Sequence, residues 1–421
     1  MPIIRTALTI LFLCPALLAN AEGQRRYVSP TLGGLGDASS WENASPHLQQ
    51  VIDACHAGDT VWVAKGTYTG GFVMREGVTV IGGFEGSETH LEERHVALDA
   101  DSLSVLSGGG KYRVLLQEKT FAIPTVWDGF MLTGGVASKG AGIWLREGGV
   151  MRNSLIEDNT AGKLSIGEMA EAEGGIVIAI AANKACILSL EEIGRNYQHE
   201  RAQEVVGSYE GAGHADWRLP TAQELRALLP TSDAGYASFR LTSLALDASG
   251  ASPLKGKRCW TSNSASSSGM AGAGCCDFLC MQYFPLNIYQ YNKVRPVREC
   301  PRPEVEGAGA GVYAEGGCLA NCLVQNNRGG MDIESTGTLL IVDSDEDAIR
   351  LPAATGTMRR VWRAGEVVEL KGASLSALYD TFGKTVSKGT HRLQLPSVPG
   401  LYILRWQAGE NVSSMKISVI P

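Results

Sequence analysis

Apolar positions along this chain recur in short runs rather than in helical stripes. Asp59–Val63, Val78–Phe84 and Val126–Leu132 are β-branched or aromatic runs, each ended by glycine or a charged turn, a pattern that predicts short strands. The same texture forms a repeat whose copies lie far apart. Gly140–Asn159 returns as Gly309–Asn327 with one residue missing, and Gly-Ala-Gly, Glu-Gly-Gly, Asn153/Asn321, Leu155/Leu323 and Asn159/Asn327 coincide. Each copy holds two alternating strands around a glycine turn, and its period of about 20 residues is that of one solenoid coil. If the copies are neighbouring coils, everything from about 165 to 303 leaves and re-enters through one turn, which loops tolerate when the insertion ends lie close together. Within that stretch a helical signal stands out: Thr221 and Glu224 form a capping box that launches Ala222–Leu229.

Composition agrees with strands. Gly accounts for 51 of 421 residues and aromatics for only 7 %, which favours turns and short strands. The length predicts two to four domains. A formal net charge of −7, with no basic cluster interleaved with aromatics, excludes nucleic acid as the expected partner. At the start, Arg5 precedes the apolar stretch Ala7–Leu18 and the small residues Ala19-Asn20-Ala21. This is the pattern of a secretory signal peptide, cut after Ala21. Cys14 follows Leu11-Phe12-Leu13 rather than the small residues of a lipid-anchoring signal. No later run approaches the ~18 apolar residues of a membrane helix, and Ile176–Ala182 reads as a buried strand. The expected product is secreted or held at the outer cell surface, and does not span the membrane.

Candidate chemistry is sparse. Nine cysteines remain beyond Cys14, and Cys259, Cys275, Cys276, Cys280 and Cys300 cluster, so local disulfides are expected there without a defined pairing. Cys276 and Cys280 make no CxxC and have no histidine nearby, so no zinc site is expected. The acidic stretch Asp343–Asp347 is followed by Ala348 and Ala354 where a calcium loop needs glycine and glutamate. Gly108–Lys111 lacks phosphate-loop spacing. No metal or cofactor is expected and no catalytic residue is assigned. A polysaccharide lyase or hydrolase would have to draw on Asp128, Glu157, Asp158 and Arg152.

Binding candidates lie in the middle of the chain. Trp217 and Trp260 read either as core aromatics or as ligand contacts. Arg295 and Arg298 alternate with Val294 and Val297 and are expected on one face of a final strand. There they could hold a sulfate or carboxylate through bidentate bonds, or one of them could pair internally with Glu224 or Asp216. Ser262–Gly274, rich in Ser, Ala and Gly, reads as an exposed loop.

Three resemblances follow from these residues. Tyr27–Pro30, Ser40–Ala44, Gly58–Tyr68 and Gly82–Gly86 resemble the start of bacterial surface proteins of the pectate-lyase-like superfamily, whose fold is a right-handed parallel β-helix. Trp217–Leu225, Cys259–Ser262 and Val294–Arg298 resemble the Fibrobacter major paralogous domain, itself similar to the C-terminal domain of a collagen-like Legionella adhesin and to C-type-lectin-like folds. Leu375–Val386, His391–Pro396, Pro399–Arg405 and Lys416–Ile420 resemble the C-terminal sorting domain of type IX secretion cargo. No Asn-Pro opening strand stands near 335–350, so a plain adhesive sandwich fits that end as well.

Together the resemblances imply a mainly β chain, a short parallel β-helix interrupted by an α+β insert and followed by a C-terminal β-sandwich. The expected divisions are a signal peptide at 1–21, β-helix at 22–163, insert at 164–303, β-helix again at 304–332 and C-terminal domain at 333–421. They imply a non-catalytic adhesin whose partners are a surface or host polysaccharide or matrix and, through its end, the secretion machinery. A structural spacer without a ligand is the remaining alternative.

Overall fold

A computed structural model describes residues 23–31, 34–267 and 270–342, and towards the end 361–363, 365, 367–369, 375–380, 385–389, 392–397, 400–408 and 411–420. The expected signal peptide and the acidic stretch 343–347 lie outside the described residues. The protein is mainly β, with a large curled parallel sheet.

One stack in that sheet runs Arg25–Val28, Thr60–Ala64, Thr79–Phe84, Thr125–Asp128, Gly149–Glu157, Val312–Gln325 and Ile333–Val342, each strand parallel to the next. Alternation along these strands separates two rows. Val61, Val80, Trp127, Met151 and Leu319 are register neighbours and belong to one buried apolar core. The alternate row is Trp62, Ile81, Asp128, Arg152 and Ala320. Here aromatics and charges take over, with Trp62 stacked on Phe84 at 4.4 Å and Arg25 3.9 Å over Trp62. The parallel sheet continues through Ile333–Val342, past residue 332 where the sequence suggested a break, because that strand prolongs the same alternation against Val312–Ala320.

The two copies of the repeat are adjacent and parallel. Ile143 pairs with Val312 and Leu145 with Ala314, then Val150 with Cys318 and Leu155 with Leu323. The sequence offset is 169 at the Arg146–Glu315 ion pair and 168 at the Asn153–Asn321 hydrogen bond, so the missing residue is absorbed at the glycine turn between them. Asn153 and Asn321 occupy the left-handed region at φ 47° and 50°, which asparagine tolerates. Gly140 and Gly309 do so at φ 51° and 49°. A Cβ there would stand 2.5 and 2.2 Å from the carbonyl oxygens of Ile143 and Val312, which explains why glycine recurs at that place in both copies.

The shared asparagines also satisfy buried backbone. Asn159 donates to the carbonyls of Leu132 and Glu157 at 3.0 Å each, accepts from the Gly135 amide at 2.8 Å and meets Asn327 Oδ1 at 3.0 Å. Asn159→Ala leaves the Gly135 amide and the Leu132 carbonyl without these partners, and is expected to cost about 2 kcal/mol. Calorimetry checks this as a fall in the melting temperature of several degrees; an unchanged melting temperature contradicts it.

The stretch between the copies begins and ends at one place. Lys163 bridges Glu304, the Leu164 amide donates to Pro303 O at 3.1 Å, and the Val305 amide donates to Gly162 O at 2.9 Å. Between these points the pairing turns antiparallel. Met169–Ala170, Gly175–Ala181, Lys184–Ser189 and Val297–Pro301 form one sheet, and Arg258–Ser267, Met270–Asp277 and Gln282–Asn287 another. The expected loop 262–274 is therefore largely a paired hairpin, with Ser264 opposite Ala273 and Ala265 opposite Gly272. The expected capping box is present: Thr221 Oγ1 accepts from the Glu224 amide at 3.2 Å and Glu224 accepts from the Thr221 amide at 2.7 Å.

The helix Asp233–Ala248 packs this stretch against the parallel sheet. Ala237 and Leu241 share a buried cluster with Val73 and Tyr112. Asp53 receives Arg240 twice, at 2.8 and 2.9 Å, and the Tyr236 hydroxyl at 2.8 Å. Near the chain end, Val361–Arg363, Asn411–Ile420, Gly400–Ala408, Leu375–Asp380 and Thr385–Gly389 form a further sheet, antiparallel except at its first pair. Among the described residues, no helix is long and apolar enough to cross a membrane.

Candidate functional site

The four binding candidates do not assemble into an open site. Trp217 is buried and its indole donates to Gly211 O at 3.0 Å, while Trp260 is fully buried and donates to Tyr197 O at 2.7 Å. Arg298 is buried on the strand Val297–Pro301, where it binds both Asp216 oxygens at 2.7 and 3.1 Å, also meets Glu173, and lies 6.0 Å over the Trp217 ring. The internal pairing with Asp216 is thus the reading that the structure bears out for this residue. Arg295 lies before that strand, only 1 % exposed, with Nε on Ser189 O at 2.7 Å and Nη1 on Ser252 O at 2.9 Å. Burial pushes its basicity down. The two arginines are three positions apart, an odd spacing that cannot keep both on one strand face. Neither has a guanidinium turned to solvent for a ligand.

The carboxylates weighed for catalysis are held by structural partners or stand exposed at a corner. Asp128 is 1 % exposed and enclosed by Arg94 at 3.0 Å, Asn153 at 3.0 Å and Arg152. Glu157 accepts from Gln325 at 2.8 Å in the next strand, and Asp158 is exposed at a left-handed corner, φ 55°. Among the described residues no group of three His, Cys, Asp or Glu side chains could hold a metal. All nine described cysteines are free thiols, and Cys259 faces Cys276 in register. Burial pushes the Cys259 thiol up to about 12, so it is a protonated core group rather than a nucleophile.

A different surface has the character of a site. Asn196, Gly256, Lys257, Arg258, Leu279 and the run Gln290–Lys293 line an open cleft of about 530 Å³. Local pairing builds it. Tyr197 bridges Asn292, and Lys293 is fixed beside the hairpin by its amide on Arg258 O at 2.9 Å and its carbonyl on the Trp260 amide at 3.1 Å. Beneath the cations lie their counter-ions. Glu192 reaches Lys293 at 2.9 Å and Lys257 at 3.8 Å. Buried Asp277 accepts Arg258 Nε at 2.6 Å and the Leu279 amide at 2.8 Å. Burial pushes the Asp277 carboxyl up, but these hydrogen bonds outweigh it and hold the group below its ordinary range.

Two further features mark the cleft. Tyr291 is 63 % exposed, with Tyr289 and Leu279 also exposed nearby in sequence and fold. Asn292 is only 4 % exposed, yet its amide nitrogen has no hydrogen-bond partner among the described residues. The sequence carried a signal for this place in Tyr289-Gln290-Tyr291-Asn292-Lys293, where two tyrosines alternate with amides and end on a cation. Its meaning depended on Lys257 and Arg258 arriving from the hairpin. No protein-family model matches the chain, and no curated protein matches it.

Proposed function

We propose that this is an exported surface protein that binds polysaccharide or matrix without altering it chemically. In this reading the curled parallel sheet is a short β-helix, residues 164–303 are a domain inserted between two of its coils, and the C-terminal strands form a sandwich that serves sorting to the cell surface. The observation that carries the reading is the in-register pairing of the two repeat copies, together with the meeting of Lys163 and Glu304. In this reading the stretch of about 140 residues that leaves and returns at one turn is the recognition head, resting on the parallel sheet through the helix Asp233–Ala248. Asp128 and Glu157 are satisfied by structural partners and Asp158 stands at an exposed corner, which favours binding over hydrolysis.

The test has two arms. Expressed in a bacterium with a type IX apparatus, the protein is expected to lose residues 1–21 and to be digested by protease added to intact cells. The purified chain is expected to be retained by an immobilised polysaccharide while releasing neither new reducing ends nor unsaturated sugars. Protection inside intact cells, or steady depolymerisation, overturns the proposal.

A further inference from the structure

We propose that the cleft lined by Lys257, Arg258, Lys293, Asn292 and Tyr291 is a binding site for an acidic saccharide, a chain whose rings carry carboxylate or sulfate groups. The inference rests on the reading of the chain as a surface binding protein and supplies the site and ligand class for it.

Charge is the first argument. Among the described residues three cations line the cleft and no carboxylate does. Their partners Glu192 and Asp277 lie deeper, at 13 % and 1 % side-chain exposure against 31 %, 53 % and 26 % for Lys257, Arg258 and Lys293. Glu192 serves two lysines at once, so three positive charges face two negative ones and the excess stands on the open side. Such pre-positioned cations offer charge-assisted bonds to an anionic group without being reordered first. The chain as a whole is acidic, which makes this local reversal of sign a selective feature rather than part of a general basic surface.

The polar and apolar groups favour a sugar ring between those anions. Asn196, Gln290 and Asn292 bring side-chain amides, which donate and accept side by side as neighbouring hydroxyls require. Asn292 lines the cleft, and its buried amide nitrogen has no hydrogen-bond partner among the described residues. Such an unpartnered donor is disfavoured in a folded protein unless something takes it up. Tyr291 presents a flat apolar face with a polar tip, suited to the C–H side of a pyranose. A volume of about 530 Å³ falls within the ordinary span of ligand sites, ~300–1,000 Å³.

The test uses the full exported chain and three immobilised polymers: polygalacturonate, heparin and neutral dextran. The wild type is expected to bind polygalacturonate or heparin, more weakly as salt is raised, and not to bind dextran. Tyr291→Ala and Lys257→Ala are each expected to weaken that binding about tenfold, the loss of one well-placed contact. Neither should change the melting temperature, because Tyr291 is exposed and Lys257 makes the looser of the two contacts with Glu192. Full affinity in both variants overturns the site while leaving surface binding in place. Equal binding to dextran, or equally tight binding to polyglutamate, overturns the ligand class. Retention by none of the polysaccharides removes the binding reading itself, and this inference with it.

Discussion

Asp128→Ala is expected to destabilise the parallel sheet by about 3–5 kcal/mol, the cost of leaving a buried charge without its partner. Asp128 is enclosed in the alternate row of the sheet, where it holds Arg94, Arg152 and Asn153. Arg94 is the residue left exposed to the loss. Its side chain is 9 % exposed, it also donates to Gly82 O at 2.8 Å, and its guanidinium lies 5.7 Å over Phe84. Without Asp128 the guanidinium stays in an apolar surround with carbonyls alone to meet it. Asp128→Asn keeps the shape and part of the hydrogen bonding, so its cost is expected to be smaller. Calorimetry should show melting falling in the order wild type, Asn, Ala, and the proposed binding to polysaccharide should be the same in all three at temperatures where the variants are folded. Unchanged melting with loss of an activity on polysaccharide would instead make Asp128 a catalytic group.

Glu224 is expected to make the protein's stability depend on acid. Burial pushes its carboxyl up, but hydrogen bonds from Arg218 at 2.6 and 2.9 Å and from Thr221 at 2.7 and 2.9 Å prevail, leaving it at about 2. A carboxyl held that far below its ordinary 4.5 contributes about 3 kcal/mol to folding at neutral pH. Because the folded value is the depressed one, the contribution is complete above about pH 4.5 and disappears as pH falls towards 2. The stability difference between wild type and Glu224→Gln, measured by urea unfolding, should therefore be about 3 kcal/mol at pH 7 and narrow steadily below pH 4.5. A difference independent of pH would mean that packing, not the carboxylate charge, accounts for the loss.

Glu224 and Asp128 also mark the reach of sequence reasoning. The capping box of Thr221 and Glu224 was legible because its partners lie three residues apart and one helical turn brings them together. Its second partner, Arg218, extends the same local motif. The role of Asp128 was not legible, since Arg94 and Arg152 reach it from other strands and loops. The arginines show the opposite failure. Arg295 and Arg298 look like a paired binding fork in the sequence, but their faces are set by a strand that starts only at Val297, and by whether a carbonyl or a carboxylate lies opposite.

By itself the sequence determined that the chain is rich in short strands, that the copies at 140–159 and 309–327 share one pattern of strands, and that a glycine turn and the same asparagines recur in both. These are local or periodic properties, written in alternation and in residues that accept left-handed backbone. Only the tertiary structure decided that the copies pair in register across 168 residues, that the binding candidates Trp217, Trp260, Arg295 and Arg298 are buried, and that Lys257 and Arg258 meet Tyr291 and Lys293 at one cleft. Each depends on which distant segments pack together, and burial and unpaired polar groups exist only once that packing has been made.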